Sequence, residues 1–282
     1  MHPTAMSNGK LFFDTYVARL GDVSVVDVGA QDVNGSLREV CTACARYIGV
    51  DFEEAKGVDV VLNDPYSLPF DNESVDVVVG SSCFEHSEMF WLLFAEILRV
   101  LRPGGLFYLN APSNGGYHRY PLDCWRFYPD SGKALVTWAR RCGIRAVLLE
   151  SYISWQHKDV WNDFVAVFLK DEDRAHEHPN RILSSHTAFE NGWMYGNKDI
   201  INLAANSEDC RRFEELREAL DFEVKRSQRI AAGLAEVVQH TEPFDWALAQ
   251  AHREAESARR DLDALKSRLQ NLEAIIRDGA SR

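Results

Sequence analysis

The stretch VVDVGAQDVNGS at residues 25–36 decides how this chain folds. An apolar strand runs into a turn that contains Gly29, and such a turn lets a ligand approach bare backbone. A second apolar run, residues 47–50, ends on Asp51, about 20 residues beyond the turn. A carboxylate at that spacing is placed to accept hydrogen bonds from the two hydroxyls of a ribose. The pattern predicts an α/β domain that binds a nucleoside.

The same turn indicates which nucleoside is bound. It lacks the Gly-x-Gly-x-x-Gly spacing that seats a dinucleotide pyrophosphate, and Asp27 stands two residues before its first glycine. A carboxylate there repels a pyrophosphate but suits a ligand with positive charge, such as the ammonium and sulfonium of S-adenosylmethionine. The turn therefore favours a methyltransferase, and an NAD-dependent oxidoreductase is the least favoured alternative.

Composition limits the partners and the compartment. The chain has 282 residues and a formal net charge of -12, and an acidic surface disfavours a nucleic-acid substrate. No apolar stretch reaches the roughly 20 residues that span a bilayer, and the first residues do not resemble a signal peptide. The six cysteines show no disulfide framework. We expect a cytoplasmic protein without a membrane span.

Apolar runs alternate with helical stretches, which predicts parallel strands joined by crossovers. Strands are predicted at residues 23–28, 47–50, 58–62, 75–80, 106–111, 146–152 and 164–170, and helices at 10–20, 37–46, 88–101 and 130–141. The last two strands lie too close together for a crossover helix, so we pair them antiparallel. The predicted fold is a Rossmann-like, seven-stranded, mostly parallel sheet with a terminal antiparallel hairpin, followed by a C-terminal helical and coiled-coil extension.

The pattern divides the chain into a catalytic domain at 1–170, a linker or cap segment at 171–206, a helix at 207–240 and a coiled coil at 244–279. In the last part, a seven-residue repeat contains Leu248, Ala255, Leu262, Leu269 and Ile276, with Ala251, Ala258, Leu265 and Leu272 three positions later. This repeat predicts a parallel coiled coil and a homo-oligomer, dimer or trimer. A single amphipathic helix packed on the body is the alternative.

Residues from about 22 to 170 resemble a class I S-adenosylmethionine-dependent methyltransferase, because five weak motifs follow in the family's order. These are the turn at 27–35, the strand end at Asp51, the loop NDPYSLPF at 63–70, the strand SVDVVV at 74–79 and the Pro-Gly-Gly turn at 103–105. The resemblance implies S-adenosylmethionine as cofactor. Its implied binding residues are Asp27, Gly29, Gln31, Asn34, Asp51, Phe52, Asp64, Pro65 and Ser81.

Within that set, Asp27 would hold the ammonium side, Asp51 both ribose hydroxyls, and Asp64 the adenine amine beside Phe52. Gln31 stands where the family usually has its second glycine. Such a departure suggests a particular branch, and the chain resembles methyltransferases found with polysaccharide assembly enzymes.

Two clusters follow the fourth and fifth predicted strands, at the sheet edge where ligands sit. They are SSCFEH at 81–86 and NGGYHRYPLDCWRFY at 114–128. Aromatic faces with Arg and Asp side chains are typical of a carbohydrate pocket, and a well-packed structural loop is the alternative. The predicted substrate-binding residues are Tyr117, Arg119, Trp125 and Arg126.

A hydroxyl acceptor needs a base, and histidine suits that role near neutral pH. We predict His118 as the base, His86 as the second choice, and Asp123 as the group that orients an imidazole or a hydroxyl. Nothing in the sequence requires a metal, although these three residues could hold one.

The predicted function is an O-methyltransferase acting on a saccharide of a cell-surface glycan, with a glycosyltransferase as a further partner. One alternative is a methyltransferase of a small natural product or lipid-linked metabolite. The other is an oligomeric scaffold that senses S-adenosylmethionine and recruits glycan assembly.

Overall fold

The computed structural model describes residues 1–41, 44–156, 161–240 and 245–280. The chain forms two compact units, Met1–Ala205 and Asn206–Arg282. The helices are α1 (Pro3–Phe12), α2 (Phe90–Val100), α3 (Ser131–Arg141), α4 (Glu208–His240) and α5 (Asp245–Ala280). The strands are β1 (Val23–Val28), β2 (Cys44–Asp51), β3 (Val60–Val61), β4 (Val75–Ser81), β5 (Leu101–Pro112), β6 (Ala146–Ser154), β7 (Asp163–Lys170) and β8 (Phe189–Met194).

The strands form one sheet in the order β3-β2-β1-β4-β5-β7-β6-β8. The five strands from β3 to β5 are parallel, and β7, β6 and β8 pair antiparallel. The predicted fold class, with its terminal hairpin of β6 and β7, is confirmed. The structure adds β8, an eighth strand drawn from the segment predicted as a linker or cap.

The core lies on both faces of the sheet because the central strands are apolar on both sides. Along β4, Val77 and Val79 belong to one cluster and Val78 to the other. Helix α2 covers one face, since Phe94 and Ile97 fall on a single helical stripe and are fully buried. This packing fixes the carboxyl ends of the parallel strands at one edge.

The predicted crossover helix at 37–46 is wrong in its described part. The chain makes only a short helical turn at Leu37–Glu39, in which Ser36 Oγ accepts a hydrogen bond from the Arg38 N–H, and β2 begins at Cys44. Residues 42 and 43 lie outside the described residues. Helix α1 packs where a crossover would run: a Cβ on its Gly9 would lie 2.2 Å from a Leu37 side-chain carbon.

The predicted entry helix at 10–20 starts too late. Helix α1 begins at Pro3, where a proline without an N–H suits a first turn, and it continues into a π-helical turn at Phe13–Val17. Phe12 and Tyr16 pack into the core face opposite α2. Because α1 begins at Pro3 and not at residue 10, the first residues of the chain lie near the sheet edge.

In the second unit, α4 and α5 contact each other. Half-buried positions of the heptad pattern include Ala251, Ala258, Leu262 and Leu269, whereas Leu248 and Leu265 stay exposed. Other residues of the same chain therefore cover part of the predicted coiled-coil seam. The side chains of residues 272 and 276 are not among those that the structure describes. Among the described residues, no helix is both long and apolar enough to cross a membrane.

Candidate active site

A cavity of about 630 Å³ opens where β1, β2 and β4 end. Gly29 follows β1, Asp51 closes β2 and Ser81 closes β4, and all three line it. The turns and loops after β1, β3, β4 and β5, together with Trp161 and the first residues of the chain, supply most of the remaining wall. Parallel pairing therefore joins in one site the two clusters that the sequence placed at this edge.

Asp27 gives one side of the cavity a buried carboxylate. The side chain accepts a hydrogen bond from the Tyr47 hydroxyl at 2.7 Å, and the residue is 4% exposed. Burial raises the pKa of Asp27 to about 6, although the Tyr47 hydrogen bond opposes the change. A buried carboxylate of this kind is stabilised by a cationic ligand.

Asp51 is held by backbone donors. One carboxylate oxygen accepts the Phe52 N–H at 2.7 Å, and the other accepts the Gln31 N–H at 3.3 Å. Burial raises the pKa of Asp51 as well. The carboxylate lines the cavity at the end of β2, where it can accept two hydrogen bonds from a diol.

Residue 29 must be glycine for a steric and a conformational reason. Its φ is +79°, and an added Cβ would lie 2.7 Å from Cβ of Cys83. Its N–H donates to the Val50 carbonyl at 3.0 Å, which fixes the turn against β2. The missing side chain therefore lets Cys83 pack against the turn, which no other residue type would allow.

His86 and His118 face the cavity from two different loops. Their ring centroids are 5.0 Å apart and the planes meet at 84°. Burial lowers the pKa of His86, whose Nδ1 contacts the Leu122 carbonyl. The ring of His118 also lies 4.9 Å from that of Trp161. Both imidazoles therefore line the same part of the cavity wall.

Arg126 and Asp123 hold the second of these loops in shape. The Arg126 guanidinium donates to both Asp123 carboxylate oxygens, at 2.6 and 2.9 Å, and to the Gly116 carbonyl at 2.8 Å. The Asp123 carboxylate also accepts the His118 N–H at 2.7 Å. Burial alone would raise the pKa of Asp123, but the hydrogen bonds from Arg126 and His118 hold that pKa below its usual value. Asp123 therefore holds the backbone of His118, and its carboxylate lies 3.5 Å from Nδ1 of the ring.

Residues 15–109 match the family described as "Methyltransferase domain". Over this third of the chain, the sequence is that of a methyltransferase domain. Such a domain takes its methyl group from S-adenosylmethionine, so the match supports the predicted enzyme class and cofactor for this segment. The match includes the turn after β1 and the ends of β2 and β4, and it stops before the loop that carries His118.

Similar proteins align over part of their length. The phthiotriol/phenolphthiotriol dimycocerosates methyltransferase of Mycobacterium tuberculosis is 42% identical over 77 residues, 22% of this chain and 27% of that protein. The Mycobacterium leprae protein of the same name is 42% identical over 86 residues, 25% of this chain and 31% of that protein. The chain therefore spans about a quarter to a third of the length of these curated relatives.

Among solved structures, the 1,6-didemethyltoxoflavin-N1-methyltransferase of Burkholderia thailandensis matches with a TM-score of 0.47 and 17% identity. The alignment covers 60% of this chain and 79% of that chain.

Most of the predicted cofactor residues line the cavity. The lining includes Asp27, Gly29, Gln31, Asn34, Asp51, Phe52, Pro65 and Ser81. Asp64 does not reach the lining, because its carboxylate folds back and accepts the Tyr66 N–H at 2.9 Å. The residues present fit S-adenosylmethionine: Asp51 offers acceptors for a diol, and Asp27 offers negative charge to an ammonium group.

The predicted substrate residues divide differently. Arg119 lines the cavity, whereas Tyr117 is 74% exposed outside it. Trp125 Nε1 donates to the Ser87 carbonyl at 2.9 Å, and Arg126 is committed to Asp123. These last two therefore hold the loop together, which matches the structural alternative for them.

Sequence reasoning missed several residues of the cavity wall, including the four that follow. Met1, His2, Glu85 and Trp161 all line it. His2 lies 3.4 Å from the Asp163 carboxylate, and a Cβ on Gly115 would lie 2.0 Å from the Trp161 ring. Only Glu85 stood in a motif that the sequence singled out, and its burial is visible only after folding.

Proposed function

We propose that the protein methylates a hydroxyl group of a small or lipid-linked acceptor, with S-adenosylmethionine as donor. The observation that carries the proposal is the juxtaposition of two imidazoles, His86 and His118, with two carboxylates, Asp27 and Asp51, around one cavity. The carboxylates suit the charges and hydroxyls of the cofactor. Either imidazole can accept the proton of an acceptor hydroxyl.

When bound, S-adenosylmethionine supplies an electrophilic methyl carbon, which an acceptor oxygen attacks as the neutral thioether leaves. Asp51 would hold the ribose and Asp27 the ammonium group, so the cofactor is oriented from two strand ends. Positioning of this kind contributes on the order of 7–11 kcal/mol at best.

His118 is the proposed base for the acceptor hydroxyl, and His86 is its neighbour at the same wall. General-base catalysis typically contributes about 10²–10⁴-fold. Asp123 and Arg126 hold the His118 loop through the contacts described above, so they act as positioning residues. This arrangement suits an aliphatic hydroxyl, which is a poor nucleophile until its proton is removed.

An acceptor with an apolar part suits the mouth of the cavity. Val33, Phe52 and Tyr120 line it and are 56%, 44% and 50% exposed. The relatives from Mycobacterium tuberculosis and Mycobacterium leprae are named for dimycocerosates of phthiotriol and phenolphthiotriol, which are lipids. Both observations favour the lipid-linked or small-metabolite alternative over a glycan saccharide, whose expected contacts from Trp125 and Arg126 are used inside the loop.

The test is transfer of labelled methyl from S-adenosylmethionine into cell extract separated into lipid, small-metabolite and saccharide fractions. The wild-type protein should label the lipid or small-metabolite fraction, and Asp51→Ala should label neither. Label in the saccharide fraction would return the acceptor to a glycan. Cofactor binding without transfer to any fraction would support the sensing scaffold instead.

We also propose self-association through the C-terminal helices. Leu248 and Leu265 stay 42% and 37% exposed on α5, and Leu216 and Phe222 on α4 are 51% and 66% exposed. Leu265→Lys should lower the mass measured by light scattering at a fixed concentration, and Asp263→Lys, on the exposed neighbouring surface, should not. An unchanged mass in the leucine variant would assign the seam to the contact with α4 alone.

A further inference from the structure

Three side chains able to ligate a metal ion meet on the acceptor side of the cavity: Glu85, His86 and His118. One ligand atom from each lies within 4.8 Å of the other two. Oε1 of Glu85 is 3.8 Å from Nε2 of His86. Two imidazoles and one carboxylate are a donor set that binds divalent transition metals and leaves further coordination positions open.

Glu85 distinguishes a ligand site from ordinary packing. Its side chain is 1% exposed, and Oε2 has no hydrogen-bond partner within the part of the chain that the structure describes. An unpaired buried carboxylate is unfavourable, and a cation beside it removes that penalty.

Both histidines are oriented from behind, as metal-bound histidines usually are. Nδ1 of His86 contacts the Leu122 carbonyl. Nδ1 of His118 lies 3.3 Å from the Gly116 carbonyl and 3.5 Å from a carboxylate oxygen of Asp123. The Leu122 carbonyl assigns the ring proton of His86 to Nδ1, which leaves its Nε2 lone pair available to an ion. Nδ1 of His118 also lies 3.4 Å from the Arg126 guanidinium, so this ring is held by three groups of its own loop.

We propose that Glu85, His86 and His118 bind a divalent transition-metal ion, with Zn²⁺ as the first choice, beside the acceptor hydroxyl. Ligand atoms around tetrahedral zinc with bonds of about 2.1 Å stand about 3.4 Å apart. The present spacing is wider, so binding would draw the partly exposed His118 inward. The ring of His86 and the carboxylate of Glu85 already lie near the required distance.

The inference rests on the proposed function and changes how the histidine pair acts. An acceptor hydroxyl that coordinates the ion loses its proton to solvent water, because the cation stabilises the alkoxide. The alkoxide oxygen then bonds to the methyl carbon, and the carbon–sulfur bond breaks with its electron pair on sulfur. The products are the methyl ether, S-adenosylhomocysteine and one proton. His118 is then a ligand, and the base of the proposed function is not needed.

The first measurement is a calorimetric titration of the metal-free protein with Zn²⁺ alone. Metal analysis after dialysis then gives the number of ions bound per chain. The expected result is one ion per chain, with at least 100-fold weaker binding in Glu85→Gln and in His118→Ala. Asp123→Asn should weaken binding by about 10–100-fold, because it orients a ligand from outside the ion's contacts. His176→Ala removes an exposed histidine outside the cavity and should leave binding unchanged.

Substitution of Co²⁺ supplies a readout that does not depend on turnover. The visible absorption of the Co²⁺-substituted protein should show nitrogen and oxygen ligation in the wild type. The spectrum should change in His118→Ala, because this substitution removes a ligand at the cavity mouth and does not disturb the buried core. Equal zinc binding by the wild type and both ligand variants would overturn the proposal.

The two proposals fail in different ways. Full turnover after chelation, with no zinc retained, would overturn the metal site and leave His118 as the base. One ligated zinc with no methyl transfer to any acceptor fraction would keep the metal site and overturn the proposed function. The affinity for S-adenosylmethionine in the metal-free protein reports separately on Asp27 and Asp51, which take no part in ligation.

Discussion

The two sides of the cavity are built in different ways. On the cofactor side, Asp27 and Asp51 stand at strand ends and are held by a tyrosine hydroxyl and by backbone N–H groups. On the acceptor side, two loops are fastened to each other: the Cys124 N–H donates to the Glu85 carbonyl at 2.7 Å, and Arg126 holds one loop together. The sheet fixes the first side and a few loop contacts fix the second, so substitutions should impair them separately.

The largest expected effect is on the cofactor side. Asp51→Ala removes a carboxylate that would accept two hydrogen bonds from the ribose, each worth about 1.5–3 kcal/mol. The dissociation constant for S-adenosylmethionine, measured by calorimetry, should rise about 10³-fold while zinc binding is unchanged.

Asp64→Ala is the matched control, because that carboxylate turns away from the cavity to the Tyr66 N–H. We expect its affinity to stay within about threefold of the wild type. An equal loss in both variants would mean that Asp64 reaches the cofactor after all.

The second prediction concerns the acceptor side. Arg126→Ala removes the guanidinium that joins Asp123 to Gly116, and misplacing a reacting group by about 1 Å can cost about 10²-fold. The turnover number should fall by about that factor with unchanged affinity for S-adenosylmethionine. Tyr117→Ala, at an exposed neighbour, should retain the wild-type rate.

If Arg126→Ala instead weakened cofactor binding as strongly as turnover, the two sides would be coupled. The separation of sheet and loops would then be wrong.

A third prediction uses two glycines, one on each side. Gly29→Ala places a side chain at φ +79° and 2.7 Å from Cβ of Cys83, whereas a Cβ on Gly116 meets nothing within 4 Å. Left-handed backbone alone costs about 1–2 kcal/mol, so cofactor affinity in Gly29→Ala should fall about 10–30-fold. Gly116→Ala should bind the cofactor normally, and a similar loss there would contradict the steric argument.

The smallest effect is on pH dependence. Asp27 must be ionised to hold an ammonium group, and burial raises its pKa to about 6. The affinity for S-adenosylmethionine should therefore fall about tenfold between pH 7 and pH 5, as the carboxylate is protonated. The free energy of unfolding depends on pH in the opposite direction. Because burial raises the pKa of Asp27 in the folded state, the contribution of this group to stability falls as the pH increases from about 4 to 6.

In Asp27→Asn the fall in affinity should be smaller, and what remains would belong to Asp51, whose pKa burial also raises. An unchanged pH profile in that variant would remove Asp27 from cofactor binding.

The same division explains what the sequence could predict. Asp27, Gly29 and Asp51 lie within 25 residues of one another, and local strand and turn patterns place them. His86 and His118 were also found, because residues that follow neighbouring parallel strands meet at one edge. Both inferences need only the order of the strands.

Residues brought in by tertiary packing could not be found in this way. Trp161 enters the wall through a close fit with Gly115, and His2 arrives because α1 packs over the sheet where a crossover helix was predicted. Glu85 belongs to one of the two sequence clusters, but its significance comes from the burial of Oε2, which has no hydrogen-bond partner among the described residues. Helical patterning likewise could not show that α4 would cover part of the α5 seam.

The borders of the sheet bear on how the protein behaves when concentrated. At one border β3 has only two residues. At the other, Gly192 of β8 exchanges backbone hydrogen bonds with Ile201, at 2.9 and 2.7 Å, so a returning segment satisfies part of that edge. Short or covered edges give a neighbouring molecule little backbone to extend into a continuous intermolecular sheet. Fibril-like stacking through this sheet is therefore disfavoured, even at the millimolar concentrations used for crystallisation.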